Sequence, residues 1–175
     1  RRPEIIDAVA AVVETVEGCR LLDVDPGKST NRTVITFVGP PETVGEAAFR
    51  VIKKAAELID MSKQTGEHPR MGATDVCPFV PVSGVTMDDC IKVAHALGKR
   101  VGTELGIPGY HYESAALISE RKNLAVCRKG EYEGLEKLST PEARPDFGPS
   151  EFNARARSTG ATAIGARDFL IAYNI

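Results

Sequence analysis

The chain of 175 residues has no apolar run approaching the ~20 residues of a membrane span. No signal-peptide pattern opens it. Its four cysteines, Cys19, Cys77, Cys90 and Cys127, include no CxxC pair, which argues against a zinc ribbon or a dithiol redox motif. A chain this long can bury a core without staples, so the cysteines read as reduced thiols of a cytoplasmic protein. Charge of either sign is not in excess: the net charge is −2, with no electrostatic case for nucleic acid or an anionic membrane. The three histidines, His68, His95 and His111, show no ligand spacing, so no metal site is expected. Gly27-Lys28-Ser29-Thr30 resembles the end of a phosphate-binding loop, but Leu22 stands where the motif needs its first glycine. No internal repeat or low-complexity tract is present.

What remains is an ordinary globular mix, 42% hydrophobic and 26% charged, suited to one compact domain. Pro3 to about Val16 has helical periodicity, with proline at a first helical position and Gly18 as the stop. Arg20–Asp25 and Arg32–Val38 read as strands of a hairpin. Glu42–Ile59 is a long amphipathic helix, followed by an aperiodic polar segment from Met61 to Asp75. Pro78 and Pro81 restrict Val76–Val82 to an edge or irregular strand. Thr86 and Asp89 form a capping box for a helix running to Leu105. Ile107–Tyr112 is a strand, Ala115–Leu138 mixed helix, and Ser139–Thr159 a long loop. Ala161–Asn174 holds a last strand. This order predicts an α/β (α+β) fold, a mixed sheet with helices mainly on one face.

Three clusters carry chemistry. Gly66 to Asp75 packs Glu67, His68, Arg70 and Asp75 into one loop. Pro69 pushes His68 towards an extended backbone. A histidine can accept and return protons near neutrality. Glu67 or Asp75 is positioned to fix its tautomer, and Arg70 suits a carboxylate. The bland alternative is a solvated polar loop. The second cluster is Asp23, Asp25, Asn31 and Arg32, whose carboxylates share a strand face and suit a cationic group; turn chemistry is its alternative. The third is Asp146–Asn153 with Arg155, Arg157 and Gly160, a mix of aromatics, amides and arginines able to cover a flat heteroaromatic ligand. His95 flanks an apolar helical stripe and reads as structural. His111 is expected to face away from Tyr110 and Tyr112 and reads as structural by default.

Taken together, Leu21–Asp25, Ser29–Val34, Thr36–Glu42, Leu58–Ser62, Gly66–Ala73, Asp75–Phe79, Gly130–Glu133, Pro145–Ser150 and Gly165–Arg167 resemble the formiminotransferase family in order along the chain. The resemblance implies a ferredoxin-like sandwich and transfer of a formimino group between N-formimino-L-glutamate and tetrahydrofolate, in histidine degradation and folate one-carbon metabolism. It implies His68 as the catalytic histidine, with Gly148, Pro149, Ser150, Glu151, Phe152, Asn153 and Gly160 in a folate-contacting loop. Asp25, Asn31, Arg32 and Arg70 are the candidate substrate-binding residues. Tetrahydrofolate enters as co-substrate, and no metal is implied. The stretch Asn153–Thr159 is longer and more basic than the family pattern, and its extra arginines suit an acidic folate tail.

Arg1-Arg2-Pro3 at the start, without methionine, and the apolar Phe169–Ile175 at the end read as cut ends. The expectation is therefore that residues 1–175 form an N-terminal subdomain without its first strand or the C-terminal subdomain. The full enzyme is expected to be a homodimer, binding neither nucleic acid nor membrane. The alternative is a non-catalytic folate-binding or regulatory module.

Overall fold

The computed structural model describes residues 2–27 and 30–170. Lys28 and Ser29, part of the turn weighed as a phosphate loop, lie outside the described residues, as does the end of the last apolar stretch, residues 171–175. Among the described residues no helix is long and apolar enough to cross a membrane.

Helix α1 spans Pro3–Ala11 and tightens into a 3-10 turn, Val12–Thr15, before Gly18 at φ +80° ends it. Strands β1 (Arg20–Gly27) and β2 (Arg32–Val38) form the expected antiparallel hairpin. Helix α2 (Pro41–Leu58) buries Ala48, Phe49, Ile52 and Ala56 on one stripe. Strand β3 (Val76–Phe79), which holds Pro78, pairs with β5 and lies at a sheet edge, as its missing donor requires. Helix α3 (Met87–Arg100) opens with the capping box: Thr86 Oγ1 accepts from Asp89 N–H, and Thr86 N–H donates to Asp89. It continues as a π turn, Val101–Leu105, and stops at Gly106, in the left-handed region at φ +64°.

Strands β4 (Gly109–Glu113) and β5 (Thr162–Ala166) complete a parallel sheet in the order β3-β5-β4. Parallel and antiparallel pairing thus both occur, in two sheets. All five residues of β5 are buried, because both faces of this sheet are covered. On one face Ile164 and Ala166 pack with α2 and α3 through Ile52, Leu97 and Val101. On the other, Ala163 meets Tyr110, Tyr112, Leu135 and Leu138. His111 contacts Phe147 and His95, on the side opposite the tyrosines as expected.

One expectation fails. Ser139–Thr159 is not loop throughout: Ala154–Thr159 forms helix α5. Asn153 caps it by accepting from Ala156 N–H at 2.9 Å, and Ala156 anchors it in the core. The arginines and serine obscured this short helix, whose two buried residues, Ala156 and Thr159, are too few for a periodic signal. Ala115–Leu138 holds only short pieces: a 3-10 turn at Ser119–Lys122, α4 (Leu124–Cys127) and a second 3-10 turn at Glu133–Lys137. All four cysteines are free.

Candidate functional site

Three segments meet at the His68 loop. The first is the hairpin tip. Asn31 adopts φ +49°, which Asn tolerates better than most residues. Its side-chain amide donates to the Thr65 carbonyl at 2.9 Å and to Gln64 Oε1 at 3.3 Å. Gly66 allows this approach: a Cβ there would stand 2.9 Å from the Thr30 carbonyl oxygen. The hairpin is thereby fastened to the loop from both sides.

The register sets which side chains share the outer hairpin face. Asp25 pairs with Val34, Asp23 with Thr36 and Arg32 with Gly27. Directly opposed residues point the same way, so Asp23, Asp25 and Arg32 lie on one face, and all three are exposed. A bulge at Leu22 re-phases β1 just before Asp23.

Arg32 Nη1 lies 2.7 Å from His68 Nε2. His68 Nδ1 lies 2.7 Å from the Pro69 carbonyl oxygen. A carbonyl only accepts, so the hydrogen sits on Nδ1. The lone pair is then on Nε2, where the guanidinium donates. The tautomer is fixed by the backbone of Pro69, not by Glu67 or Asp75 as the loop composition had led us to expect. Asp75 is occupied elsewhere: it accepts from Met71 N–H at 2.8 Å and pairs with Arg128. It shapes the loop without touching the ring.

Arg70 is also committed. Its Nε donates to the Gln64 carbonyl at 3.1 Å, and its guanidinium pairs with Glu133 at 2.7 Å and Glu131 at 3.7 Å. The Gly130–Glu133 turn supplying these carboxylates is the second segment, and Glu131 holds φ +55° there. Tyr132 N–H donates to the Arg70 carbonyl at 2.9 Å. No role had been assigned to Glu131, Tyr132 or Glu133 from the sequence, although this turn was among the matching stretches. Contact across some sixty residues leaves no local signal.

The third segment is the 148–160 stretch. Its far end is welded to the loop by backbone: Ala161 N–H donates to the Met71 carbonyl at 3.1 Å, and Ala73 N–H to the Thr159 carbonyl at 2.8 Å. Gly160 sits at φ +68°, and a Cβ there would collide with the Met71 carbonyl oxygen. Tyr132 OH donates to the Arg157 carbonyl at 2.5 Å, and its ring meets Phe152 edge-on at 5.9 Å. Arg157 lies 4.8 Å over the Phe152 ring. Gly148 lies at the other end, at φ +76°, against the Ile107 carbonyl. Pro149, Ser150 and Glu151 connect it to Phe152, with Ser150 half-buried and Glu151 exposed. The structure therefore gives Asn153 a capping role and Gly148 and Gly160 conformational ones.

Buried ionic chemistry lies against β4. Arg121 and Asp146 pair at 8% and 7% exposure, and Asp146 also accepts from His111 N–H at 2.8 Å. His111 is held neutral: burial, then the adjacent His95 ring, pushes it down to about 4, against the opposing pull of Asp146 and the Ile164 carbonyl. His95 Nε2 bonds the Ala115 carbonyl at 2.8 Å, a structural role. No group of three metal-ligating side chains is found among the described residues.

Residues 1–167 match the model of the formiminotransferase domain, N-terminal subdomain. The chain belongs to the formiminotransferase family. It is 56% identical, over all of its length, to a formimidoyltransferase-cyclodeaminase from Sus scrofa, of which it covers 32%. It is 54% identical to one from Dictyostelium discoideum, again covering 32%. It is 45% identical to a glutamate formimidoyltransferase from Streptococcus pyogenes, of which it covers 56%. The chain thus spans from about a third to just over half the length of these relatives.

Proposed function

We propose that the protein carrying this chain is a glutamate formimidoyltransferase, moving a formimino group between N-formimino-L-glutamate and tetrahydrofolate, with His68 as general base and acid. The observation that carries this reading is the His68 ring: its tautomer is set by Pro69, and its basic Nε2 borders a face holding both Asp25 and Arg32.

In the proposed reaction, N5 of tetrahydrofolate attacks the formimino carbon and forms the new C–N bond. His68 Nε2 takes the N5 proton as the tetrahedral adduct forms. It returns that proton to the glutamate nitrogen as the old C–N bond breaks, so glutamate leaves and the folate keeps the formimino group. Such acid–base help contributes typically about 10²–10⁴-fold. The amidinium-like formimino group is cationic, and Asp25 is the carboxylate suited to stabilise it. Arg32 and Asn31 are proposed to hold the glutamate portion. Arg70, tied to Glu133, acts by holding its loop and the adjacent turn together. The 148–160 segment, with Phe152 and Arg157, is proposed to meet folate.

Tetrahydrofolate is a co-substrate here, and the steps use no metal. The reading extends to a C-terminal transferase subdomain facing the outer hairpin, to residues 1–175 as the N-terminal subdomain of a homodimeric enzyme, and to a cytoplasmic place in histidine degradation. Transfer of the formimino group to tetrahydrofolate, followed by product chromatography on the full-length protein, tests it. Folate binding without transfer would favour a non-catalytic module instead.

A further inference from the structure

The contact between Arg32 and His68 is more than a neighbour relation. Nε2 is the nitrogen that must take a proton in the proposed reaction, and it is the nitrogen that Arg32 Nη1 already occupies at 2.7 Å. With hydrogen on Nδ1, engaged by the Pro69 carbonyl, the ring has one lone pair, and the guanidinium donates into it. Once Nε2 is protonated, an N–H would face an N–H. A guanidinium does not lose its proton in proteins, so Arg32 cannot become the acceptor. Arg32 in this place and a protonated His68 exclude each other.

Two features make the contact built-in. The Asn31 side chain ties the preceding residue to the His68 loop through Thr65 and Gln64, so the guanidinium is delivered to the ring by the backbone. Arg32 also stands opposite Gly27, so no cross-strand side chain pins it. Its side chain is exposed, and Asp25 lies on the same face one pair along. The guanidinium can therefore swing, and a carboxylate is the group that draws it off, because a paired guanidinium–carboxylate contact is stronger than one bond to a neutral imidazole.

We propose that Arg32 is a carboxylate-operated cover on His68: the carboxylates of an arriving acidic substrate take the guanidinium and so uncover Nε2. Arg32 is then a positioning residue that couples acidic-substrate binding to the appearance of the base. This deepens, and rests on, the reading of His68 as the proton-transfer group. It also assigns a specificity device, since a formimino donor without carboxylates would leave the base covered.

The test follows carbethoxylation of His68 by diethyl pyrocarbonate, whose carbonyl is attacked by an unprotonated ring nitrogen, with the modified peptide quantified by mass spectrometry. The probe is glutarate, the glutamate skeleton without its nitrogen. Arg32→Met keeps the stem and removes the donors, and is expected to speed modification about tenfold, the worth of one charge-assisted hydrogen bond. Arg32→Lys keeps a donor and should stay near the unsubstituted rate. Glutarate should raise the unsubstituted rate towards that of Arg32→Met and leave Arg32→Met unchanged. Equal rates in the unsubstituted and Arg32→Met chains would overturn the cover. So would a slowing by glutarate, which would place the carboxylate over the ring itself. Long-range ¹H–¹⁵N spectra of the unsubstituted chain read the same event without a variant: the His68 Nε2 resonance should shift on adding glutarate, and an unmoved resonance would contradict the proposal. Formimino transfer plays no part in these readouts. A protein that uncovers His68 with glutarate but never transfers would sink the functional reading alone.

Discussion

Around β5, every side chain from Thr162 to Ala166 is buried, and apolar groups cover both faces of the sheet. Along β1 and β2 burial only alternates, and no residue is fully buried. The first region is held by area removed from water, where burying one Leu or Ile contributes about 1.5–3 kcal/mol. The second is fastened to the His68 loop by polar side chains, such as the Asn31 amide on Thr65, a hydrogen bond of the kind that contributes about 0.5–1.5 kcal/mol. The candidate substrate groups Asp25, Asn31 and Arg32 sit on the second, and His68 borders it. A firm sheet carries a loosely fastened edge, so a catalytic side chain there can be changed with little cost to the fold.

This contrast can be broken first at the buried side. Asp146→Ala leaves Arg121 uncompensated and removes the acceptor for His111 N–H, and should cost about 3–5 kcal/mol in urea denaturation. A loss under 1 kcal/mol would mean that the ion pair is not holding β4. Acid should act next. His111 folds neutral, with its value depressed from 6.5 to about 4. Its contribution is therefore complete above 6.5 and lost as pH falls through about 4, on the order of 3 kcal/mol. His111→Gln should flatten that part of the stability–pH curve; an unchanged slope would contradict the assignment.

The junction between the regions comes next. Gly160→Ala places a side chain at φ +68° and against the Met71 carbonyl, a strain of about 1–3 kcal/mol that should also loosen the His68 loop in hydrogen exchange. The smallest effect is expected at the hairpin tip. Asn31→Ala should cost about 1 kcal/mol or less overall, yet raise exchange at residues 64–66 selectively. A large global loss would show that the hairpin is as deeply integrated as β5.

Much of the fold was legible in the sequence because its signals are local. The period of α2, the Thr86 box and Pro78 of β3 each act within a few residues. Helix α5 was not legible, since its two buried residues, Ala156 and Thr159, and its Asn153 cap do not make a pattern. At the site, the loop around His68 declared itself by density and by its likeness to formiminotransferases. Its working parts did not. The Pro69 carbonyl as tautomer anchor, Arg128 on Asp75, and Glu133 on Arg70 all depend on geometry or on partners dozens of residues away. Composition suggested free charges at Arg70 and Asp75; folding spent both on holding the loop.

The most direct measurement is formimino transfer by the full-length protein carrying His68→Ala, set beside its tetrahydrofolate affinity and its unfolding midpoint. The account predicts a fall in kcat of about 10²–10⁴-fold, with folate affinity and midpoint nearly unchanged. Transfer at an undiminished rate would contradict it.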